Sequence, residues 1–371
     1  MGSSLQTKLY EINWVLLALV FVIGMLGVAM IYSATNGVWN HGASQHLTRF
    51  LLACTLSIII AVTDIRLWYH AAYPIYLFAL LLLFGVDLFG VSVNGSQRWL
   101  DIGITRIQPS EIMKLAIVLA LARYYHDIAK WRISNFSGII GAILIILLPM
   151  QFIIRQPDLG TTLLLFATGV IVMFLAGINW RVIFFSSIGV VLAIPVFLKY
   201  GLKPYQLKRV MTFFDPSQDP TGAGYHIAQS KIALGSGGVS GKGFLNGTQR
   251  QLEYVPENTT DFIFTIIGEE FGLLGSLTTL LLYTLVIAVC MWMALECKHI
   301  FSKLLVLGLT TTFSLYVFIN IAMVMGLLPV VGVPLPLISY GGTVILAVMI
   351  GFGLILSAHL HRQVELPRPG H

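Results

Sequence analysis

Apolar runs of roughly span length, parted by short polar stretches, recur along almost the whole chain. A helix that crosses a bilayer needs about 20 predominantly apolar residues. The pattern predicts ten such helices, over roughly 13–33, 48–64, 70–90, 109–125, 137–154, 160–178, 182–199, 263–293, 303–327 and 341–361. The expected fold is all-α and polytopic: a single membrane domain over residues 1–371, with no internal repeat. One segment breaks the pattern. Between spans seven and eight, residues 199–262 are polar and glycine-rich, far longer than the usual connector of about 4–6 residues. Tyr, Phe, Leu and Ile are spread through it, so it lacks the composition of a disordered tract. It reads as a folded loop lying close to lipid and carrying a site.

Composition agrees with the pattern. The chain is 57% hydrophobic and 10% charged, where a soluble domain carries about 25% charged residues. Ten Lys or Arg fall in the short loops on the side that holds both termini, against Arg49, Arg98, Arg106 and Arg155 on the other. By the positive-inside rule both termini are expected in the cytoplasm and the large loop outside. The first apolar run is as long as a full span, so no cleavable signal is expected. The formal charge of +6 suits anionic lipid or phosphate. Its cations are dispersed between spans, so nucleic acid is not an expected partner. Cys54, Cys290 and Cys297 lie in or beside apolar runs, which argues against a disulfide framework or a cysteine metal site.

The candidate chemistry collects on the outer side. Pro109 suits the first turn of span four. Glu111 and Lys114 then share one helical face inside the apolar boundary, as a structural ion pair or as substrate contacts. Asp261 stands where the large loop meets span eight, with Glu269 and Glu270 about two turns further on. It reads either as a helix cap or as a general base at the water–lipid border. Lys208, Arg209, Lys231, Lys242 and Arg250 in the loop, with Arg98, Arg106 and Arg155, could hold a diphosphate or lipid headgroups. The run Gly235-Ser-Gly-Gly-Val-Ser-Gly-Lys-Gly243 is not a P-loop, because Ser236 and Gly243 stand where that motif needs Gly and Ser or Thr. Phosphate cradling by its N–H groups stays open. Residues 328–342, apolar yet rich in Pro and Gly, fit a re-entrant piece bordering a wet cavity. His226 and His41 stand alone, and no spacing resembles a zinc site. No cofactor is called for; magnesium or manganese would suit Asp158, Asp215 or Asp261.

The most specific stretches are Gln97-Arg-Trp-Leu-Asp-Ile-Gly103, Gln108-Pro-Ser-Glu111, Arg155-Gln-Pro-Asp-Leu-Gly160, Gly222-Ala-Gly-Tyr-His226, Gln229-Ser-Lys231, Pro256-Glu-Asn-Thr-Thr-Asp-Phe-Ile-Phe264, Gly268-Glu-Glu270 and Pro334-Leu-Pro-Leu-Ile-Ser-Tyr-Gly-Gly342. In this order, over nearly the whole chain, they resemble the SEDS family of bacterial shape, elongation, division and sporulation membrane proteins. The short N-terminal tail and compact length look most like its elongation member. The resemblance implies a peptidoglycan glycosyltransferase that polymerises lipid II, a disaccharide-pentapeptide on undecaprenyl diphosphate, at the outer face of the bacterial cytoplasmic membrane. The family's essential aspartate falls on Asp261, and its paired acid and lysine fall on Glu111 and Lys114. Substrate contacts are expected from Arg98, Trp99, Arg106, Glu111, Lys114, Asp158, Lys208, Arg209, His226, Gln229, Ser230, Lys231 and Ser339. The implied partners are lipid II, a class B penicillin-binding protein and other elongation-complex proteins. A lipid II flippase and a non-catalytic scaffold for the penicillin-binding protein are the rival readings, separated by whether the purified protein makes glycan strands.

Overall fold

A computed structural model describes residues 5–367 except 40, 94–95, 102, 104–105, 130–132, 157, 183, 185–187, 190–191, 193–206, 208–211, 213–222 and 248–258. Its elements in chain order are α1 (Leu5–Glu11), α2 (Trp14–Ala34), α3 (His41–Val62), α4 (Ile65–Phe89), β1 (Val91–Val93), β2 (Ser96–Asp101) and β3 (Arg106–Ile107). Then follow α5 (Pro109–Asp127), α6 (Phe136–Arg155), α7 (Leu159–Leu175), α8 (Ala223–Ser236), α9 (Ile263–Glu296), α10 (Ile300–Val324) and α11 (Gly342–Leu360).

Nine of the predicted apolar runs coincide with helices, α2 to α7 and α9 to α11. The remaining run, 182–199, falls largely outside the described residues. Seven described helices are long and apolar enough to cross a bilayer: α2, α3, α4, α6, α9, α10 and α11. The molecule is therefore a polytopic helical membrane protein. Helix α7 is shorter, at 17 residues, and α5 carries Glu111, Lys114, Arg123 and Asp127. Helix α3 begins at His41, well before the predicted 48, because its polar first turns face protein. His46 there is buried, and Gln45 accepts a hydrogen bond from Tyr340.

The expectation of a purely helical chain needs one correction. Between α4 and α5 lies a three-stranded antiparallel sheet in the order β1-β2-β3. Val91 pairs with Trp99 and Asp101 with Arg106, with a bulge between Val91 and Ser92. Gln97 Nε2 anchors it by donating to Val86 O at 3.1 Å and Gly90 O at 2.8 Å. So small and polar a hairpin leaves no trace in a pattern dominated by 20-residue runs.

Helices α10 and α11 form the centre, each with 72% of its apolar window buried, whereas α4 and α9 bury 22% and face outward. Helix α10 packs against α5, α7, α9 and α11, and α11 lies along α3. Helix α9 is broken at Gly272, whose φ of 64° and ψ of −155° are non-helical. The freed backbone groups are taken up by the glycine-rich run. Lys242 N and Gly243 N donate to Glu269 O at 3.0 Å and Glu270 O at 2.9 Å, while Leu273 N and Leu274 N donate to Gly238 O at 2.9 Å and Val239 O at 3.2 Å. The run is a splint across the kink, so these two N–H groups are not available to cradle phosphate. Such close backbone approach requires glycine: at Gly241, with φ +78°, a Cβ would collide with the Glu270 carbonyl.

Gly241→Ala should therefore lower stability by more than the ~1–2 kcal/mol that left-handed backbone alone costs. Thermal unfolding of the detergent-purified protein measures this, and an unchanged midpoint would refute the splint.

Candidate active site

Helix α10 ends at Val324. The chain from there to α11 is non-helical, yet Val333, Leu335, Leu337 and Ile338 are buried. Backbone polar groups inside a membrane must be satisfied by protein, and side chains from three helices do this here. Asn320 Nδ2 donates to Val333 O at 2.7 Å. Tyr283 OH donates to Pro336 O at 2.6 Å. His46 Nε2 lies 3.1 Å from Leu337 O, a geometry that needs the proton on Nε2. At Gly27 of α2 a Cβ would sit 2.5 Å from Leu337 O, so only glycine lets the helix lie against this segment.

The same segment fixes the turn before α9. Asn320 Nδ2 also donates to Asp261 O at 2.8 Å. Ser339 Oγ donates to Thr260 O at 2.5 Å, and Tyr340 N donates to Thr259 O at 2.8 Å. The N-cap position of α9 belongs to Phe262, which makes no side-chain cap. Asp261 stands one residue earlier, at the edge of a cavity of about 380 Å³. The cavity is walled by Arg98 and Trp99 of β2, Gln108, Glu111 and Lys114 of α5, Asp158 and Thr161, Thr260 and Asp261, Tyr316 of α10, residues 331–334 and residues 340–341 and 343–344. Gly332, at φ +70°, leaves its Cβ space beside the carboxylate: a Cβ there would lie 3.5 Å from Asp261 Oδ2.

The other charges of the wall are paired. Glu111 and Lys114 are buried to 4% and 3% exposure. Lys114 Nζ lies 2.7 Å from Glu111 Oε1, and Tyr316 OH donates to Glu111 Oε2 at 2.6 Å. Lys114 Nζ also donates to the Tyr316 hydroxyl oxygen. Arg98 Nη1 lies 3.6 Å from Asp158 Oδ2, and Arg98 Nε donates to Gln156 O at 3.3 Å. Asp158 in turn caps α7, accepting from Thr161 N at 3.1 Å and Thr161 Oγ1 at 2.9 Å. Among the described residues no three His, Cys, Asp or Glu side chains converge as a metal site would require. A divalent cation here would draw most of its ligands from water and substrate phosphate.

The structure thus brings Arg98, Trp99, Glu111, Lys114, Asp158 and Asp261 to one cavity. It places other expected contacts elsewhere. Arg106 pairs with Asp101 at 3.6 Å on the exposed hairpin. Ser230 is buried and donates to Ile227 O at 2.9 Å and Val324 O at 2.8 Å, tying α8 to the end of α10. Ser339 is buried, its hydroxyl donating to Thr260 O and accepting from Leu335 N, so it shapes the wall without being among its lining residues. Lys231 is exposed on α8 and lies against Gly326, and Gln229 is half-buried on the same helix. Lys208, Arg209 and the His226 side chain fall outside the described residues. Tyr316 and Asn320 were not anticipated. Thr312, Tyr316 and Asn320 recur every four residues on α10, and that stripe on one helical face was the available signal.

The cell cycle protein family of FtsW, RodA and SpoVE matches residues 9–364. The peptidoglycan glycosyltransferase MrdB of Escherichia coli strain K12 is 45% identical over 342 residues, 90% of this chain and 91% of the relative. A chain from the structure described as structural coordination of polymerization and crosslinking by a peptidoglycan synthase complex aligns with TM-score 0.85 and 29% identity, over 96% of this chain and 99% of that one. The rod shape determining protein RodA of Thermus thermophilus aligns with TM-score 0.72 and 26% identity, over 96% and 99% of the two chains.

Removing one member of a buried pair strands the other, at about 3–5 kcal/mol. Lys114→Met should lower stability by that order, and Glu111→Gln with Lys114→Met should recover much of it. Thermal unfolding of both variants checks this; equal losses would mean that the two groups do not act as a pair.

Proposed function

This chain belongs to the FtsW, RodA and SpoVE family of cell cycle proteins, and on that premise we propose that it is a peptidoglycan glycosyltransferase that polymerises lipid II for cell elongation, with Asp261 as its general base. The reading rests above all on Asp261 itself: a carboxylate set in the wall of a cavity of about 380 Å³, on a turn held by Asn320, Ser339 and Tyr340. The relative MrdB carries the same activity in its name.

In this reading Asp261 accepts the proton of the acceptor sugar's 4-hydroxyl while that oxygen attacks the donor's anomeric carbon. The bond from that carbon to the diphosphate oxygen breaks, and the electron pair leaves with undecaprenyl diphosphate from the opposite face. An α-linked donor becomes a β-linked product. One carboxylate suffices, because a departing diphosphate needs charge stabilisation more than a proton. Lys208, Arg209 and Lys231 are the loop cations put forward for that role, with or without magnesium or manganese. Glu111 and Lys114, sealed against each other and Tyr316, hold the wall on which the sugars rest.

The membrane arrangement proposed with it has ten spans in a single domain and both termini in the cytoplasm. The loop 199–262 lies between spans seven and eight on the outer face of the cytoplasmic membrane. A class B penicillin-binding protein would dock beside the chain and crosslink the strand within the elongation complex. That proposal is in keeping with the peptidoglycan synthase complex among the similar structures.

General-base catalysis contributes roughly 10²–10⁴-fold. Reconstituted with lipid II and a penicillin-binding partner, Asp261→Asn and Asp261→Ala should lose at least that much glycan-strand synthesis while keeping the wild-type unfolding midpoint. Normal strand synthesis by Asp261→Ala would sink the assignment. Lipid II transfer without strand synthesis by the wild type would point to the flippase instead.

A further inference from the structure

The cavity has a charge problem. Among the described residues, its charged wall side chains are Arg98 and Lys114 against Glu111, Asp158 and Asp261, two cations against three carboxylates. Both cations are already held by acids, at 3.6 Å and 2.7 Å. A lipid-linked diphosphate would gain little from such a wall, and an anion beside Asp261 would be repelled by it.

A cation not held by an acid stands next door. Arg49 projects from α3 and is half-buried. Its guanidinium carbon lies 5.4 Å from the Tyr340 ring centroid, a cation–π distance. Among the described residues, its hydrogen bond to a side chain runs from Nη2 to Gln45 Oε1 at a long 3.4 Å. That Gln45 oxygen already accepts from Tyr340 OH at 2.8 Å. Among the described residues no carboxylate lies within ion-pair distance of Arg49. The guanidinium also lies over the start of α11, where a Cβ at Gly342 would come within 3.1 Å of Nη1. Tyr340, Gly341 and Thr343, the residues it covers and flanks, belong to the cavity wall. The Thr343 hydroxyl is buried there and has no hydrogen-bond partner among the described residues.

A half-buried guanidinium set against an aromatic ring, with one of its five donors spent on a side chain among the described residues, is suited to a planar pair of oxyanions. We propose that Arg49, on its Tyr340 shelf and with the Thr343 hydroxyl, binds the diphosphate of the lipid-linked sugar donor at the α11 edge of the cavity. This rests on the glycosyltransferase reading and adds a locus to it. The anionic leaving group is then held by α3 and α11 instead of by the neutralised Arg98 and Lys114 pairs, and the sugar reaches toward Asp261.

The test is binding of undecaprenyl diphosphate to the full chain in phosphatidylcholine nanodiscs, with phosphatidylglycerol as competitor. Wild type should bind it, and phosphatidylglycerol should not displace it. Arg49→Gln should weaken binding by about tenfold or more, the size of one lost charge-assisted hydrogen bond. Arg49→Lys, which keeps the charge and loses the fork, should fall between. Tyr340→Leu, which removes the shelf and keeps Arg49, should also weaken binding, so a poorly folded Arg49→Gln does not leave the matter open. Wild-type affinity in Arg49→Gln, or equal displacement by phosphatidylglycerol, overturns the assignment; the second outcome makes Arg49 a general headgroup contact. If the wild type neither binds the diphosphate lipid nor makes strands from lipid II, the glycosyltransferase reading falls with it. If it makes strands while Arg49→Gln binds normally, only the Arg49 site falls.

Discussion

A carbonyl buried in a bilayer without a donor costs several kcal/mol, and the site is arranged around that penalty. Residues 325–341 run non-helically, and Val333 and residues 335–339 among them are buried in protein. Their carbonyls are met by Asn320, Tyr283 and His46 from α10, α9 and α3. Because each donor sits on a different helix, the segment can keep its shape only while those helices keep theirs. The same bonds hold the turn at 259–261, so the position of Asp261 follows from satisfying the backbone around it. A packed helix in place of this segment would meet every carbonyl internally and would leave no cavity.

Charge obeys a parallel rule. Ions taken out of water are tolerated when a partner of opposite sign and further hydrogen bonds surround them. Glu111, Lys114 and Tyr316 form one such closed set. Arg98, Asp158 and Thr161 form another, which joins the β2 strand to the start of α7. Glu269 and Lys242, 2.7 Å apart, form a third beside the α9 kink. Closure has a cost in function: a neutralised cation steadies the wall but has little left for an anionic ligand. That division of labour sets Arg49, on its aromatic ring, apart from the other described basic residues near the cavity.

The kink in α9 shows how a loop can serve a helix. At Gly272 the helix loses its own hydrogen bonds, and the glycine-rich turn at 238–243 supplies replacements from outside. Ser33 Oγ, 2.5 Å from Glu270 Oε1, carries the connection on to α2. Glycines at 237, 241 and 272 are needed because backbone meets backbone with no room for a Cβ. The N-terminal end of α9, which begins just after Asp261, is therefore braced independently of the part beyond Gly272.

Hydrophobic run length alone determined that this is a polytopic helical membrane protein and located nine of its helices, although it missed the polar first turns of α3. The bilayer imposes a fixed apolar length on whatever crosses it, and that requirement is written locally. Motif order likewise marked Asp261, Glu111 and Lys114 as residues of interest. What the sequence left open was pairing. The glycine-rich run looks like an anion cradle until its N–H groups are seen on Glu269 and Glu270. Ser230 looks like a substrate contact until its hydroxyl is seen on Val324. Tyr316 is one aromatic among many until it closes the Glu111–Lys114 pair. Whether a polar group faces a cavity or spends itself on a neighbour depends on residues up to 295 positions away, as with Gln45 and Tyr340. Only the packing of the helices decides that, because hydrogen-bond capacity is limited and is used up by whichever partner the fold brings near.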